Sequence, residues 1–348
     1  MSVPLIPPFG LVLLACGLDR LVGDPRWCPH PVVVMGWWII RLRSLAEAWC
    51  GDSPWRLRLA GGLITLLLVA GSGLAGWGIE RLAVLDEPRI RAAGMALLLI
   101  AMASALAGRS LEQAVRAVLQ PLAAGDLPLA RLRLGWIVGR DTEQLEADEI
   151  LRAAAETASE NAVDGLFAPL FWMLVGALCW TFGGDAAPGP LALAWAFKAA
   201  STLDSMLGYR HGRLRWLGTA GARLDDLLVW LPCRLVALSL PLAAAIGWPR
   251  AWRLLQRARR DGAPDPSPNA GLSQAIYAWV VGVQLGGVNR YGAICKAKPL
   301  LAAGCPAPDC GAVERMLGLT LRLQLLWLAA VSVVAWAALL LRMPAVAP

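Results

Sequence analysis

Long apolar runs alternate with polar segments along the chain, and several runs approach the length that a helix needs to cross a bilayer, about 20 residues. Four runs are of this kind: Leu59 to Ile79, Ala92 to Ala107, Gly165 to Gly183 and Leu317 to Leu341. A shorter run, Phe9 to Val22, precedes them. The pattern predicts an all-α, polytopic membrane protein with roughly five to eight membrane-embedded helices.

The segment from Arg109 to Glu160 differs, because charged residues are interleaved with a helical period. Pro121 and Gly125 interrupt it, and five arginines place it on the cytoplasmic side. We expect a surface-lying helical segment there. The chain therefore divides into an N-terminal membrane segment (1–108), a cytoplasmic helical segment (109–160) and a membrane-embedded catalytic segment (161–348).

The run from Leu227 to Trp248 raises a conflict of orientation, because basic segments flank it on both sides. Basic residues favour the cytoplasmic face, so a single crossing would place one of these segments on the wrong side. We expect a membrane hairpin broken near Pro232 or Pro241, which would keep every polar cluster on one side.

The composition agrees with this view: of 348 residues, 57% are hydrophobic and 16% charged, and 17 are Trp. The formal net charge is +7, but the arginines lie beside membrane-length runs, so we expect contact with membrane lipid and no nucleic-acid partner. The eight cysteines are scattered without a C-x-x-C pair, which argues against a cysteine metal site or a disulfide framework.

Acidic residues spaced by four precede the run that begins at Gly165. Glu156, Glu160 and Asp164 would share one face of a continuous helix, with Asn161 beside them. Like charges stacked in this way need a cation, and carboxylates are ligands that Mg²⁺ accepts. The alternative is a solvated helix start whose acidic residues favour the helix dipole.

A second cluster lies in FKAASTLDSMLGYRHG, where Lys198, Ser201 and Ser205 share a helical face close to Asp204. Lys198 follows an apolar run, and ionisable groups at such depth are usually functional or paired with one another. A structural pair between Lys198 and Asp204 is the alternative.

Three further stretches carry polar groups at element ends. Asp225 and Asp226 are adjacent, so only one of them can face a shared site from a helix. Ser267 and Asn269 precede an apolar helical run, where they would bind phosphate or simply cap the helix. The third stretch, in a Pro-rich loop, contributes Asp24 and His30.

These stretches together resemble the integral-membrane adenosylcobinamide-phosphate synthase family of cobalamin biosynthesis. The resemblance rests on LVGDPRWCPHPVVVMG, IVGRDTEQL, AETASENAVDGLFAPLFW, FKAASTLDSMLGY, GARLDDLL, and SPNAG followed by LGGVNRYG. It implies an ATP- and Mg²⁺-dependent ligation that joins a propionate of adenosylcobyric acid to the amine of aminopropanol phosphate or ethanolamine phosphate. The partners implied are this corrinoid, the amino-alcohol phosphate, and a second copy or other membrane enzymes of the pathway.

The resemblance also implies roles for the residues above. Catalytic residues would be Glu160, Asp164, Lys198 and Asp204, with His30 a second candidate for accepting the amine proton. Metal ligands would come from Glu160, Asp164, Asp225 and Asp226. ATP and substrates would be bound by Arg140, Asn161, Ser201, Thr202, Ser267, Asn269, Asp24 and His30.

The implied location is the bacterial inner membrane, in several passes, with the active site facing the cytoplasm. The competing function is a transporter or carrier of a corrinoid or phosphorylated small molecule, because Lys198, Asp204 and proline-broken helices also occur along transport paths. Transport favours charges near the bilayer centre, whereas the polar clusters here lie mostly at the ends of predicted spans.

Overall fold

The computed structural model describes residues 6–24, 30–292 and 294–342, and they form a bundle of helices with one short hairpin of strands. The N-terminal helices are α1 (Pro8–Val22), α2 (Pro31–Cys50), α3 (Pro54–Leu82), α4 (Pro88–Ala103), α5 (Gly108–Ala123) and α6 (Leu127–Gly135). The central ones are α7 (Ala147–Asn161), α8 (Ala168–Gly183), α9 (Pro190–Leu207), α10 (Leu214–Leu217) and α11 (Thr219–Ala243). The last are α12 (Trp248–Gly262), α13 (Ala270–Val281) and α14 (Cys310–Arg342).

Proline marks the start of several helices. Pro8, Pro31, Pro54, Pro88 and Pro190 each occupy the first turn of a helix, where the missing N–H costs no hydrogen bond. The strands β1 (Leu285–Tyr291) and β2 (Ile294–Leu301) pair antiparallel, and they interrupt an otherwise helical chain.

Five stretches of the described residues are long and apolar enough to cross a membrane: Pro54–Leu82, Pro88–Ala123, Ala147–Gly183, Thr219–Ala243 and Cys310–Val333. The prediction of an all-α, polytopic membrane protein is therefore confirmed. Glycines let the central helices approach closely: a Cβ on Gly76 of α3 would lie 2.9 Å from the Ala192 Cα of α9.

Helix α7 does not lie on the surface as we expected from its charges. Nine of its fifteen residues, from Ile150 to Ser159, are buried, and the helix packs against α5, α13 and α14. It continues through a π-helical segment, Ala162–Phe167, into α8. The buried charged residue of α7, Glu156, is therefore held inside the bundle, where it must find partners.

The prediction that the chain turns back near Pro232 or Pro241 is wrong about the position of the turn. Both prolines lie inside the continuous helix α11, as is tolerated where neighbouring helices surround a membrane helix. The chain turns instead between Ala243 and Trp248, where Ala245 adopts a φ of 56°. Helix α12 packs against α11, and α13 returns to α11 as well, so Ser267 reaches Asp226.

Candidate functional site

Helix α9 supplies one side of a polar cavity of about 720 Å³. Lys198, Ser201, Thr202, Asp204 and Ser205 all line it, because residues three and four apart share one helical face. The Thr202 hydroxyl donates to the Lys198 carbonyl oxygen at 2.7 Å, which leaves its oxygen free to accept. The second cluster of the sequence therefore opens onto a space that a small substrate group could enter.

Asp164 reaches the same cavity from the opposite side, through the π-helical segment. The wider turn of this segment departs from the spacing of a regular α-helix. Asn161, which is exposed, lines the cavity beside it. π-helical turns inside α-helices occur frequently at functional sites.

The two adjacent aspartates of α11 point in different directions. Asp225 lines the cavity, and its buried Oδ1 has no hydrogen-bond partner among the described residues. The Asp226 carboxylate accepts from the Ser267 hydroxyl at 3.4 Å, and its backbone oxygen accepts from Asn269 Nδ2 at 2.9 Å. Asp225 is thus available to a ligand, whereas Asp226 joins α11 to the start of α13.

Lys198 is the cation at the centre of this acidic cavity. It interacts electrostatically with Asp164, Asp24 and Asp225. The ion pairs found within 4 Å among the described residues do not include it, so the structural pair with Asp204 that the sequence left open is not formed. The ammonium is therefore held by several carboxylates at a distance and bonded closely to none of them.

Two described residues of the Pro-rich stretch before α2, Asp24 and His30, lie beside each other. His30 Nδ1 accepts from the backbone N–H of Val32 at 3.3 Å, and Nε2 lies 3.4 Å from Asp24 Oδ1. Burial raises the pKa of Asp24, but the neighbouring His30 side chain and the charge of Lys198 outweigh burial and lower this pKa overall. Asp24 therefore stays ionised facing Lys198. Residues 25–29 of this motif lie outside the described residues.

A second, smaller cavity of about 240 Å³ adjoins the first, since Ile137, Val138, Thr157 and Asn161 line both. Glu160 opens onto this cavity, and its Oε2 accepts from Gln274 Nε2 at 2.6 Å.

Glu156 lies in the wall of the smaller cavity and is fully engaged. It forms ion pairs with Arg140 and Arg152 and accepts from the Gly286 N–H at 3.0 Å. The Asn289 side-chain oxygen, on β1, accepts from both guanidinium groups. Two arginines around one carboxylate leave this group with a net positive charge. Arg140 pairs with Glu156 and also lines the smaller cavity.

Ser267 and Asn269 are occupied by structural contacts. The Ser267 hydroxyl accepts from the N–H groups of Asn269 and Ala270 at 3.4 and 3.3 Å, which caps the first turn of α13. Asn269 is 4% exposed and accepts from Arg234. Of the two roles that the sequence left open, capping is the one these contacts satisfy.

The four predicted metal ligands do not form one cluster. Among the described residues no three His, Cys, Asp or Glu side chains come together as a metal site. Glu160 is in the smaller cavity and Asp226 is bonded to Ser267, so only Asp164 and Asp225 face the larger cavity. Mg²⁺ is often held by one or two carboxylates together with substrate phosphates, and this pair, with the unpartnered Asp225 oxygen, fits that mode.

Sequence reasoning missed four residues of the smaller cavity and its wall: Arg152, Gln274, Asn289 and Lys298. Asn289 lies in LGGVNRYG, a stretch that carried the resemblance but was given no role. Gln274 follows SPNAG by three residues on α13, and a glutamine inside an apolar run was the available sequence signal. A polar side chain buried in such a helix needs a hydrogen-bond partner.

The fold and this polar cavity define a multi-pass membrane protein with an internal acidic site built around one lysine. The family model described as "CobD/Cbib protein" matches residues 12–320, and the chain belongs to that family. A Synechocystis relative named "Cobalamin biosynthesis protein CobD" is 44% identical over 303 residues, covering 86% of this chain and 84% of its own.

Two further relatives extend this comparison. "Cobalamin biosynthesis protein CbiB" of Salmonella arizonae is 40% identical over 278 residues, covering 80% of this chain and 82% of the relative. "Cobalamin biosynthesis protein CobD" of Pelobacter propionicus is 40% identical over 300 residues, covering 85% of this chain and 86% of the relative. No solved structure matches the chain. The resemblance drawn from the sequence motifs is confirmed at the level of the family.

Proposed function

We propose that this protein catalyses the ATP-dependent ligation that converts adenosylcobyric acid to adenosylcobinamide phosphate. The reaction forms an amide between a propionate of the corrin ring and the amine of aminopropanol phosphate or ethanolamine phosphate. Membership of a family whose relatives are named for cobalamin biosynthesis supports the pathway. The observation that carries the chemistry is the convergence of Asp164, Lys198, Asp204 and Asp225 on one cavity.

Lys198 is suited to hold phosphate oxygens where negative charge develops. Its ammonium has no close carboxylate partner within 4 Å among the described residues, and the charges of Asp24, Asp164 and Asp225 favour its protonated form from a distance. A preorganised cation in a site of low water content stabilises such charge strongly. Asn161, Ser201 and Thr202 line the same cavity and would orient the substrates through hydrogen bonds.

Asp164 and Asp225 would hold Mg²⁺ together with substrate phosphates, and the metal would neutralise phosphate charge when bound. Arg140 and Lys298 of the smaller cavity supply positive charge for a second phosphate group. This arrangement gives one cavity to the reacting centre and the other to an anionic group of ATP or of the amino-alcohol phosphate.

Asp204 is the better candidate for accepting the amine proton. It lines the larger cavity and forms no ion pair within 4 Å among the described residues. His30 is engaged at both ring nitrogens, with Val32 and Asp24. A general base must reach the proton it accepts, and Asp204 is the group that faces the substrate space.

The corrin ring is a broad macrocycle, and only its propionate arm needs to enter the cavity. Trp136 lines the cavity and is 62% exposed, so it offers an aromatic surface at the mouth. The arginines before α7 favour the cytoplasmic side of a bacterial inner membrane for this mouth.

The test is ligation by protein purified in detergent, supplied with adenosylcobyric acid, aminopropanol phosphate, ATP and Mg²⁺. Mass spectrometry should detect the amide product, and omission of ATP or chelation of the metal should abolish it. Asp164→Asn should be inactive, whereas Asp148→Asn, an exposed change on the same continuous helix, should retain activity. Binding of corrinoid without product under complete conditions would favour a carrier instead.

A further inference from the structure

A cleft of about 580 Å³ lies between α11 and α12, on residues that take no part in the cavity of the proposed ligation. Two guanidinium groups, of Arg234 and Arg259, line it together with two indoles, of Trp230 and Trp252. Leu238 and Leu255 complete the apolar wall. The cleft therefore combines two fixed positive charges with a hydrophobic surface.

The two arginines line the same cleft, and their like charges repel each other. Neither occurs among the ion pairs within 4 Å in the described parts of the chain. Arg234 instead donates to the Pro268 carbonyl oxygen at 3.0 Å and to the Asn269 side chain. This fixes the guanidinium in place, while its positive charge is left without a carboxylate at bonding distance.

The order of residues along the two helices separates the charged part of the cleft from the apolar part. Trp230, Arg234 and Leu238 occupy successive turns of α11, and the chain turns back within a few residues before α12. Arg259 and Leu255 occupy successive turns of α12, so Arg259 lies near Arg234 while Leu255 lies further along, toward Leu238. An occupant would need an anionic group at one end and a hydrocarbon part at the other.

Helix α12 has the composition of a helix at a membrane surface. Its apolar positions Ala251, Leu254, Leu255 and Ala258 are buried, while its arginines are exposed. Trp252 is 44% exposed and Trp230 is 51% exposed, and indoles favour the boundary between headgroups and acyl chains. Basic amphipathic helices of this kind bind anionic lipid, and basic pockets between membrane helices bind lipid headgroups.

We infer that this cleft binds an anionic phospholipid. The lipid phosphate lies between Arg234 and Arg259, where guanidinium groups can bind phosphate in a bidentate manner. An acyl chain extends along Leu238 and Leu255. Because Arg234 also holds Pro268 and Asn269, the bound lipid stabilises the connection between α12 and α13.

The experiment uses the full chain, purified and delipidated in detergent, with phosphatidylglycerol and phosphatidylcholine of identical acyl chains added separately. Native mass spectrometry counts retained lipid, and thermal unfolding reports stabilisation. We expect phosphatidylglycerol to bind and to raise the unfolding temperature, and phosphatidylcholine to do neither. Arg259→Gln should weaken phosphatidylglycerol binding about tenfold, the effect of losing a charge-assisted hydrogen bond.

The matched control is Arg253→Gln, which removes the same charge from another exposed position of α12 that does not line the cleft. It should bind phosphatidylglycerol like the wild type. Equal weakening by both substitutions, or equal binding of the two lipids, would overturn the inference. Inorganic phosphate and ATP form the third arm: if either competes at the cleft with the same dependence on Arg259 and without need of an acyl chain, the site is for a soluble anion.

Discussion

Acidic residues from neighbouring helices lie near both ends of α9, and they differ in whether the protein supplies their carboxylates with hydrogen-bond donors. Glu80 of α3 is fully buried, and its carboxylate accepts from the N–H groups of Gly189, Leu191 and Ala192 at 2.9, 2.7 and 3.1 Å. These are the free donors of the first turn of α9. In the cavity further along α9, Asp225 keeps a buried oxygen without a partner among the described residues.

The difference distinguishes acids that hold the fold from acids available to a ligand. A buried carboxylate that is fully bonded, such as Glu80 or Glu156, has its desolvation offset by the protein itself. Asp164 and Asp225 face a cavity without such bonds, so an added cation or donor would improve their environment. Removing an acid of the first kind should therefore affect stability, and removing one of the second kind should affect activity.

The largest expected effect is on stability, at Glu156. Glu156→Ala would leave Arg140 and Arg152, both largely shielded from solvent, without their shared carboxylate, and breaking a buried ion pair in this way costs about 3–5 kcal/mol. The free energy of unfolding, measured by titration with sodium dodecyl sulfate, should fall by that amount. Asp148→Ala, an exposed change on α7, is the control. An unchanged free energy of unfolding for Glu156→Ala would contradict the structural role.

Asp164→Asn and Asp225→Asn should lower activity without lowering stability. The change removes charge but keeps shape, and loss of one preorganised electrostatic contact lowers turnover about 100-fold or more. Because neither carboxylate is ion-paired within 4 Å among the described residues, the unfolding midpoint should be unchanged or higher. Turnover and unfolding should be measured on the same preparations. A lower unfolding midpoint with normal turnover would show that these two aspartates stabilise the fold and do not take part in the reaction.

Membrane helices were the part of the fold most accessible from the sequence, because apolar length is a strong signal. The runs around α3, α4, α8 and α14 are found close to their predicted bounds. The turn after α11 was misplaced, because proline was taken as a helix breaker. Within a bundle, the packing of neighbouring helices allows Pro232 and Pro241 to remain helical.

The candidate site was predictable where its residues share one helix. Lys198, Ser201 and Asp204 follow from helical spacing. The environment of Glu156 was not predictable in this way, since its partners Arg140 and Gly286 are 16 and 130 positions away along the chain. The π-helical segment that carries Asp164 has no sequence signal comparable to a helical period.

A smaller loss of stability is expected at Glu80. Glu80→Gln retains one acceptor oxygen but weakens the bonds to the start of α9, and a lost charged hydrogen bond in a buried place costs about 1–3 kcal/mol. The unfolding midpoint should fall, while ligation per folded molecule stays at the wild-type level. Glu87→Gln, on an exposed helix start, provides a comparison with a solvated cap. Loss of turnover without loss of stability would place Glu80 with the cavity acids instead.

The smallest expected effect is at Trp136, at the mouth of the larger cavity. Because this indole is 62% exposed, Trp136→Ala should leave the unfolding midpoint unchanged. Loss of an aromatic contact of about 1 kcal/mol should raise KM for adenosylcobyric acid about fivefold. The turnover number should not change, since the side chain is proposed to contact the ring and not the reacting propionate. Trp49→Ala, which removes an indole that is 84% exposed and distant in sequence from the cavity residues, controls for a general effect of losing a surface tryptophan. A fall in turnover at constant KM would show that Trp136 acts on the reacting centre, and equal kinetics for both variants would remove it from the binding surface.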